Sequence, residues 1–319
     1  MYFKYLIILL PFLFAFNRCD DGHSDMKEVT AFALKNPSVP GTYRNLDGIY
    51  ASLNEIKENY PESVKLYTVG YGAQTARPIP LVRIGKQMGD HPVRFLFVAG
   101  THGNEGAPVE AIMYVINDLL AEGNSPGDLI LDFIPVHNPD GYAENTRENG
   151  IGIDLNRDFP VGRSATQLQP ETVTLMNLIN RFQYKASLFF HSGNEKKYEN
   201  LIRIPMEFNS LGVDAFGMKF AAELNHLADI VQTAGNIHHP AVPWRRASNM
   251  VKFSGIASDW CSGGFMKPDY RHPGEMICEK SHPSLTIELC YPKQPSDPLQ
   301  LQEESQELDR IIRALILYF

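Results

Sequence analysis

The sequence predicts a single α/β domain with a mixed, largely parallel central sheet and helices on both faces. Short apolar runs rich in β-branched and aromatic residues alternate with longer segments whose apolar residues recur at three- and four-residue steps. The central runs at 93–98 and 129–136 are almost continuously apolar, as strands buried on both faces require. Gly and Pro are spread along the chain rather than gathered in one linker, and no internal repeat is present. With 319 residues, 44% hydrophobic and 21% charged, the chain can bury a sizeable core, which excludes collagen-like, coiled-coil and wholly disordered classes. Its net charge of −8, with no long basic run, gives a nucleic-acid partner no electrostatic support.

The elements follow in order. Residues 5–16 form an apolar run behind Lys4, shorter than the ~20 residues that span a bilayer, and the polar turn Asn17-Arg18-Cys19-Asp20-Asp21 ends it. This pattern predicts an export leader over residues 1–19. It is either a secretory signal or, with Cys19 as the lipidated residue, a lipoprotein leader that anchors the protein to a membrane; a buried N-terminal helix is the plain alternative. Residues 20–42, polar and broken by Pro37 and Pro40, read as a tether outside the core, and residues 43–319 as the folded domain. Leu46, Ile49, Leu53 and Ile56 mark one face of a helix that Pro61 stops. Residues 64–71 and 79–84 flank a turn at 72–77 and read as a hairpin. A buried strand at 93–98, a helix at 107–120, a strand at 129–136, a helix at 171–182 and a strand at 186–190 come next. A helix at 215–227, a strand at 285–289 and a closing amphipathic helix at 303–317 complete the pattern. Beyond the leader only Cys261, Cys278 and Cys290 remain, too few to staple the fold.

The 93–98 strand runs into Ala99-Gly100-Thr101-His102-Gly103-Asn104-Glu105-Gly106 and then a helix. In open α/β sheets ligands bind at the carboxyl ends of strands. An imidazole and a carboxylate three residues apart on a glycine-rich turn can meet on one cation, and zinc takes both donor types; a polar turn leading into a helix is the bland alternative. His191, at the end of the 186–190 strand, supplies a third ligand. His137, His238 and His239 are weaker candidates, since each sits beside a turn or loop. Glu288 is an isolated carboxylate in an apolar strand, so it must be paired, protonated or functional, unless the strand is an edge and the residue faces outward. Arg147 and Arg157 lie in loops after the 129–136 strand, and their planar forks suit a carboxylate or an oxyanion as well as a surface ion pair.

Together these segments resemble the M14-type zinc carboxypeptidases, the family of carboxypeptidases A, B, E and D. The resemblance runs from about Tyr43 to the C-terminus. It is carried by His102-Gly103-Asn104-Glu105, Asn138-Pro139-Asp140-Gly141-Tyr142, Asp154-Leu155-Asn156-Arg157-Asp158-Phe159-Pro160, Gln169-Pro170-Glu171-Thr172, Phe190-His191-Ser192-Gly193, Ser262-Gly263-Gly264 and Thr286-Ile287-Glu288-Leu289, in the family's order. It implies an exopeptidase acting on peptide or protein C-termini with one Zn²⁺ ion held by His102, Glu105 and His191. It further implies Glu288 as general base, Arg147 as the group that polarises the scissile carbonyl, and Asn156 with Arg157 as the grip on the terminal carboxylate. One position departs: alignment on Ser262-Gly263-Gly264 puts Asp259, followed by Trp260, where the family has a mobile tyrosine, so another residue such as Tyr270 takes that role or the site lacks the hydroxyl. The pocket position beyond Gly264 carries Met266 and Lys267 rather than an acid, which points to a neutral or acidic terminal residue. The closing helix leaves no room for the β domain that follows the catalytic domain in carboxypeptidases E and D, and the short stretch between the leader and Tyr43 leaves none for the folded inhibitory pro-domain of the pancreatic enzymes, so neither is expected. Three alternatives stand beside it: a small-substrate amidohydrolase resembling aspartoacylase or succinylglutamate desuccinylase, a peptidase of peptidoglycan stem peptides, and a catalytically inactive peptide-binding relative.

Overall fold

A computed structural model describes residues 26–34, 43–85, 92–123, 129–160, 168–193, 200–204, 221–238, 244–248, 256–263, 265–268, 276–279, 282–289, 293–294 and 297–318. The elements are β1 (Lys27–Val29), α1 (Leu46–Asn59), β2 (Val64–Tyr71), β3 (Pro78–Ile84), β4 (Val93–Val98), α2 (Gly106–Ala121), β5 (Leu129–Ile134) and α3 (Pro139–Glu144). A 3₁₀ turn (Leu155–Arg157) precedes α4 (Pro170–Arg181), β6 (Ala186–Ser192), β7 (Asn200–Ile204), α5 (Ala221–His238) and β8 (Trp244–Ser248). The chain closes with α6 (Ala257–Gly263), β9 (Phe265–Pro268), β10 (Met276–Glu279), β11 (Ser284–Leu289) and α7 (Pro298–Tyr318).

Nine strands form one sheet in the order β1-β2-β3-β5-β4-β6-β11-β7-β8, and β9 pairs with β10 separately. The central strands β5, β4, β6 and β11 are mutually parallel. The flanks join antiparallel at β3–β5 and β11–β7. This is the mixed sheet that the alternating pattern predicts. Successive side chains on β4 serve opposite layers, as a strand period of two demands. Phe95 and Phe97 pack in the layer built with α1, α2, α5 and α7, while Leu96 and Val98 pack in the layer with α4 and α6. Each such fully buried side chain stabilises the fold by about 1.5–3 kcal/mol relative to exposure. The acid inside β5, Asp132, is fully buried and held by Arg83 at 2.6 and 2.7 Å and by the Tyr184 hydroxyl at 2.8 Å.

Helix ends follow local chemistry. Asn45 accepts from Gly48 N at 2.8 Å to start α1, which stops before Pro61. Asn138 accepts from Gly141 N at 2.9 Å to start α3, and Asn145 ends that helix in the left-handed conformation that asparagine tolerates.

The structure differs from the sequence expectation in several places, among them the short elements α3, α6, β9 and β10, which the sequence reading did not contain. Part of the expected tether joins the fold: β1 pairs with β2, and Phe32 stacks on Tyr50 while its amide bonds Asn54 Oδ1 at 2.7 Å. An open edge on β2 offers backbone partners that need no apolar period in the pairing segment. The helix expected at 215–227 is described from Ala221 and runs on to His238, with Leu224, Leu227 and Val231 buried; residues 215–220 lie outside the described residues. The strands β7 and β8 were not legible, because Arg203, Arg245 and Arg246 interrupt their apolar runs. The leader at 1–19 with Cys19, and also His239, Gly264, Tyr270 and Cys290, lie outside the described residues. Cys261 is a buried free thiol. Among the described residues no helix is long and apolar enough to cross a membrane.

Candidate metal centre

The adjacent parallel strands β4 and β6 end side by side, and their carboxyl ends deliver His102, Glu105 and His191 to one place. Two glycines shape the approach. Gly100 turns the chain with φ 63°, and a Cβ there would stand 3.0 Å from Val136 Cα. At Gly103 a Cβ would fall 2.0 Å from the Gly141 carbonyl carbon, so the 102–105 turn lies against the start of α3 only because this residue has no side chain. Glu105 occupies the N-cap of α2, where unpaired amide groups favour a carboxylate.

The donor atoms converge. His102 Nδ1 lies 2.9 Å from Glu105 Oε1, His191 Nδ1 lies 3.0 Å from Glu105 Oε2, and the two Nδ1 atoms are 3.1 Å apart. Tetrahedral zinc with ligands at about 2.0–2.2 Å sets its donors roughly 3.3–3.5 Å apart, so only a small widening of this triangle separates it from a zinc-binding one. All three side chains are buried, and no other such group of His, Cys, Asp and Glu occurs among the described residues. Two facing imidazole nitrogens beside a carboxylate form a donor set that suits a borderline-soft dication. The residues present therefore fit zinc.

A surrounding shell fixes these donors. Asp154 Oδ1 lies 3.3 Å from His102 Nε2 and accepts from Asn156 N at 3.0 Å. A carboxylate on the far ring nitrogen holds the imidazole in the tautomer whose Nδ1 lone pair faces the other donors. Asp154 Oδ2 takes Nε and Nη2 of Arg147 at 3.0 and 2.9 Å, which leaves Arg147 Nη1 at 3.2 Å from His102 Nδ1 and 3.9 Å from Glu105 Oε1. Ser192 N donates to Glu105 Oε2 at 3.3 Å, and Lys293 Nζ stands 3.4 Å from Glu105 Oε1 and 3.3 Å from Asn104 Oδ1.

The electrostatics follow. Burial alone would raise the Glu105 carboxyl, but hydrogen bonds with His102 and His191 outweigh it and hold the group well below the usual carboxylate range. Burial pulls the His102 imidazole down, and its bonds to Asp154 and Glu105 bring it above its ordinary value. Asp154 is likewise held well below the usual range, against its burial, by His102 and Arg147.

Glu288 lies one strand over. In β11 it pairs in register with His191 of β6, so both project from the same face of the sheet about 4.8 Å apart in the strand-to-strand direction. Its strand is interior, between β6 and β7, not an edge, and Arg203 Nε lies 3.2 Å from Glu288 Oε1. Asn156 is buried beside the cluster: its Nδ2 is 3.4 Å from His191 Nε2, and its Oδ1 accepts from Ala257 N at 3.2 Å. The Arg157 guanidinium, which donates to its neighbour's carbonyl at 2.6 Å, is depressed by burial; Asp154 and Glu288 oppose this, and Arg147 and Arg203 add to it. Arg147, Asn156, Arg157 and Glu288 thus surround the triad. His137 does not join it. Fully buried, it bonds the Glu171 carbonyl at 3.0 Å and lies 3.2 Å from Thr101 Oγ1, and burial pushes its imidazole down to about 4. His238 ends α5. Asp259 and Trp260 are buried within α6.

Three residues at the site went unassigned in the sequence. Asp154 had a signal, an acid two residues before Asn156 at cap spacing. Arg203 had one too, a cation inside the apolar Leu201-Ile202-Arg203-Ile204. Lys293 had none beyond its place in the loop after β11.

A family model described as "Zinc carboxypeptidase" matches residues 49–199. Carboxypeptidase M of Mus musculus is 27% identical over 172 residues, 47% of this chain and 39% of its own. Carboxypeptidase D of Homo sapiens is 27% identical over 163 residues, 44% of this chain and 12% of its own. The chain therefore spans well under half the length of these curated relatives. Among solved structures, bovine thrombin-activatable fibrinolysis inhibitor in complex with tick carboxypeptidase inhibitor superposes with a TM-score of 0.66 at 17% identity, covering 86% of this chain and 97% of that one. Carboxypeptidase A from Helicoverpa armigera gives 0.64 at 18% identity, covering 86% and 74%. At these identities the likeness is one of fold.

Proposed function

We propose that the chain is an M14-type zinc carboxypeptidase, a zinc-dependent exopeptidase that removes the C-terminal residue of a peptide, a reading that the family match over residues 49–199 and the shared fold support. The observation that carries this reading is the meeting of His102, Glu105 and His191 beside Arg147, with Glu288 in register on the next strand. Held by those three ligands, zinc would supply Lewis acidity and make a water acidic near neutral pH.

The chain's own residues do the rest. Glu288 accepts the proton of the attacking water and returns it to the leaving amine, the two halves of general acid–base catalysis. Arg147, fixed through two nitrogens on Asp154, offers Nη1 to the scissile carbonyl oxygen as that oxygen gains charge. Asn156 and Arg157 receive the substrate's free carboxylate. A half-buried guanidinium that meets no anion on binding pays its desolvation without return, so chains with a blocked terminus bind poorly. The family match supports peptidase over the amidohydrolase alternative. Export of the protein rests on the leader pattern at residues 1–19.

The test is hydrolysis of an N-acylated dipeptide and of its C-terminal amide by the full chain, before and after chelation and with zinc restored. Cleavage of the free acid alone, lost on chelation and regained with zinc, is expected. Glu288→Gln should abolish turnover while the bound zinc is retained. Cleavage of both substrates, or turnover indifferent to chelation, would refute the reading.

A further inference from the structure

The cluster holds more positive charge than the proposed reaction uses. Four side-chain cations, Arg147, Arg157, Arg203 and Lys293, share the site with three carboxylates, Glu105, Asp154 and Glu288, before a dication is added. Lys293 lies on Glu105, Arg147 is fixed on Asp154, and Arg157 is assigned to the terminal carboxylate. Arg203 pairs with Glu288 through Nε alone, and the rest of its fork has no part in the proposed reaction.

Its position is specific. Arg203 sits opposite Thr286 in the β7–β11 register, and Glu288 sits opposite His191 in the β11–β6 register, so all four residues share one face of the sheet. Strand by strand across that face the order is His191, Glu288, Arg203, with Arg203 set diagonally from Glu288 by two residues of register. The guanidinium engages Glu288 through Nε, and among the described residues no other group bonds its two terminal nitrogens. Its side chain is 21% exposed, so the guanidinium is not sealed in the core. Arg157 feels the charges of both Glu288 and Arg203, so the two guanidiniums share the electrostatic surroundings of Glu288. Two guanidiniums that repel each other across a gap are relieved by a ligand carrying two carboxylates, and one main-chain carboxylate neutralises only one of them.

We propose that Arg203 selects substrates whose C-terminal residue is acidic, the free end of its guanidinium pairing with the side-chain carboxylate while Arg157 holds the main-chain one. This rests on the exopeptidase reading above. The role differs from holding the base: a residue that only steadied Glu288 would affect all peptides alike, whereas a specificity residue discriminates among them.

The test compares three N-acylated dipeptides that differ only in a terminal Glu, Leu or Lys, cleaved by the zinc-loaded full chain. The wild type should favour Glu over Leu by on the order of 10- to 100-fold in kcat/KM, the range of one charge-assisted hydrogen-bonded pair. Arg203→Gln should remove that preference, and Arg203→Glu should turn it towards Lys. If Arg203→Glu does not fold, Arg203→Lys, which keeps the charge and loses the fork, should give an intermediate ratio. Equal kcat/KM for the three peptides in the wild type, or an equal loss for all three in Arg203→Gln, overturns the inference and leaves the exopeptidase reading intact. No cleavage of any peptide overturns both.

Discussion

Replacing Glu307 by Gln should flatten the pH dependence of stability between pH 5 and 8. Glu304 and Glu307 lie one turn apart on the buried face of α7, both fully shielded from solvent. Glu307 accepts hydrogen bonds from Trp244 Nε1 of β8 and from Asn200 Nδ2 of β7, whereas neither oxygen of Glu304 has a hydrogen-bond partner among the described residues. Burial pushes the Glu307 carboxyl from 4.5 up to about 7; Trp244, Asn200 and Arg310 pull against this and Glu303 adds to it. Burial and Glu307 raise the Glu304 carboxyl well above its ordinary value. Because the folded state holds the Glu307 proton more tightly than the unfolded chain, this stabilisation is complete below about pH 4.5 and is lost as pH rises through about 7. The interval corresponds to about 3 kcal/mol, of which roughly 2.5 falls between pH 5 and 8. Glutamine keeps the shape and an acceptor for Trp244 and Asn200 but cannot ionise. His137 titrates in the opposite sense, its stabilisation being lost as pH falls from about 6.5 to about 4, and it does so equally in both proteins. Urea unfolding of wild type and Glu307→Gln at pH 5 and pH 8 isolates the difference. Wild type should lose about 2.5 kcal/mol more than the variant over that span. Stability curves that stay parallel within about 0.5 kcal/mol would show that Glu307 enters the folded state ionised and would refute the reasoning.

Other perturbations probe the metal centre and the core. Asp154→Asn keeps the shape but removes the charge facing His102 Nε2 and Arg147, and should weaken zinc binding about 10- to 100-fold in a chelator competition, with the apo fold intact by circular dichroism. Lys293→Met removes the ammonium that steadies Glu105 Oε1 while keeping the stem that lies over Gly193; an altered d–d spectrum of the cobalt-substituted protein and about tenfold weaker metal binding are expected, and Lys293→Arg should restore both. Gly103→Ala drives a methyl into the Gly141 backbone, so it should separate the 102–105 turn from α3 and lower both metal affinity and melting temperature, whereas the same change at Gly123 meets no neighbour among the described residues and is opposed by its positive φ. Asp132→Ala leaves Arg83 buried without its partner and should lower the free energy of unfolding by about 3–5 kcal/mol, read by urea denaturation.

The parts of the molecule that the sequence discloses are those whose signal is local. An apolar run that stops at a polar residue marks a strand end, so His102 and His191 were legible one strand at a time. That they share an end of the sheet followed from parallel pairing. Glu288 was legible because an acid in an apolar strand calls for an explanation. What was not legible depends on contacts across the chain. Lys293 reaches Asn104 from 189 residues away, and nothing near it in the sequence points there. Arg203 lies in a five-residue strand whose partner β8 carries Arg245 and Arg246, so charge hid the apolar pattern that would have declared both strands. Lys27-Glu28-Val29 pairs with β2 through backbone alone, and a segment that contributes no buried face leaves no period to read. Asp154 stood in a quoted motif, but its two-sided grip on His102 and Arg147 appears only when the 3₁₀ turn folds under the ends of β4 and β6.

Zinc stoichiometry tests the account at its centre. The full chain, dialysed to equilibrium against zinc and then assayed for metal, should retain one ion per molecule, and His191→Ala and Glu105→Gln, each still folded by circular dichroism, should lose it. A wild type that retains none, or variants that retain as much as the wild type, would contradict the claim that these three side chains form a metal site.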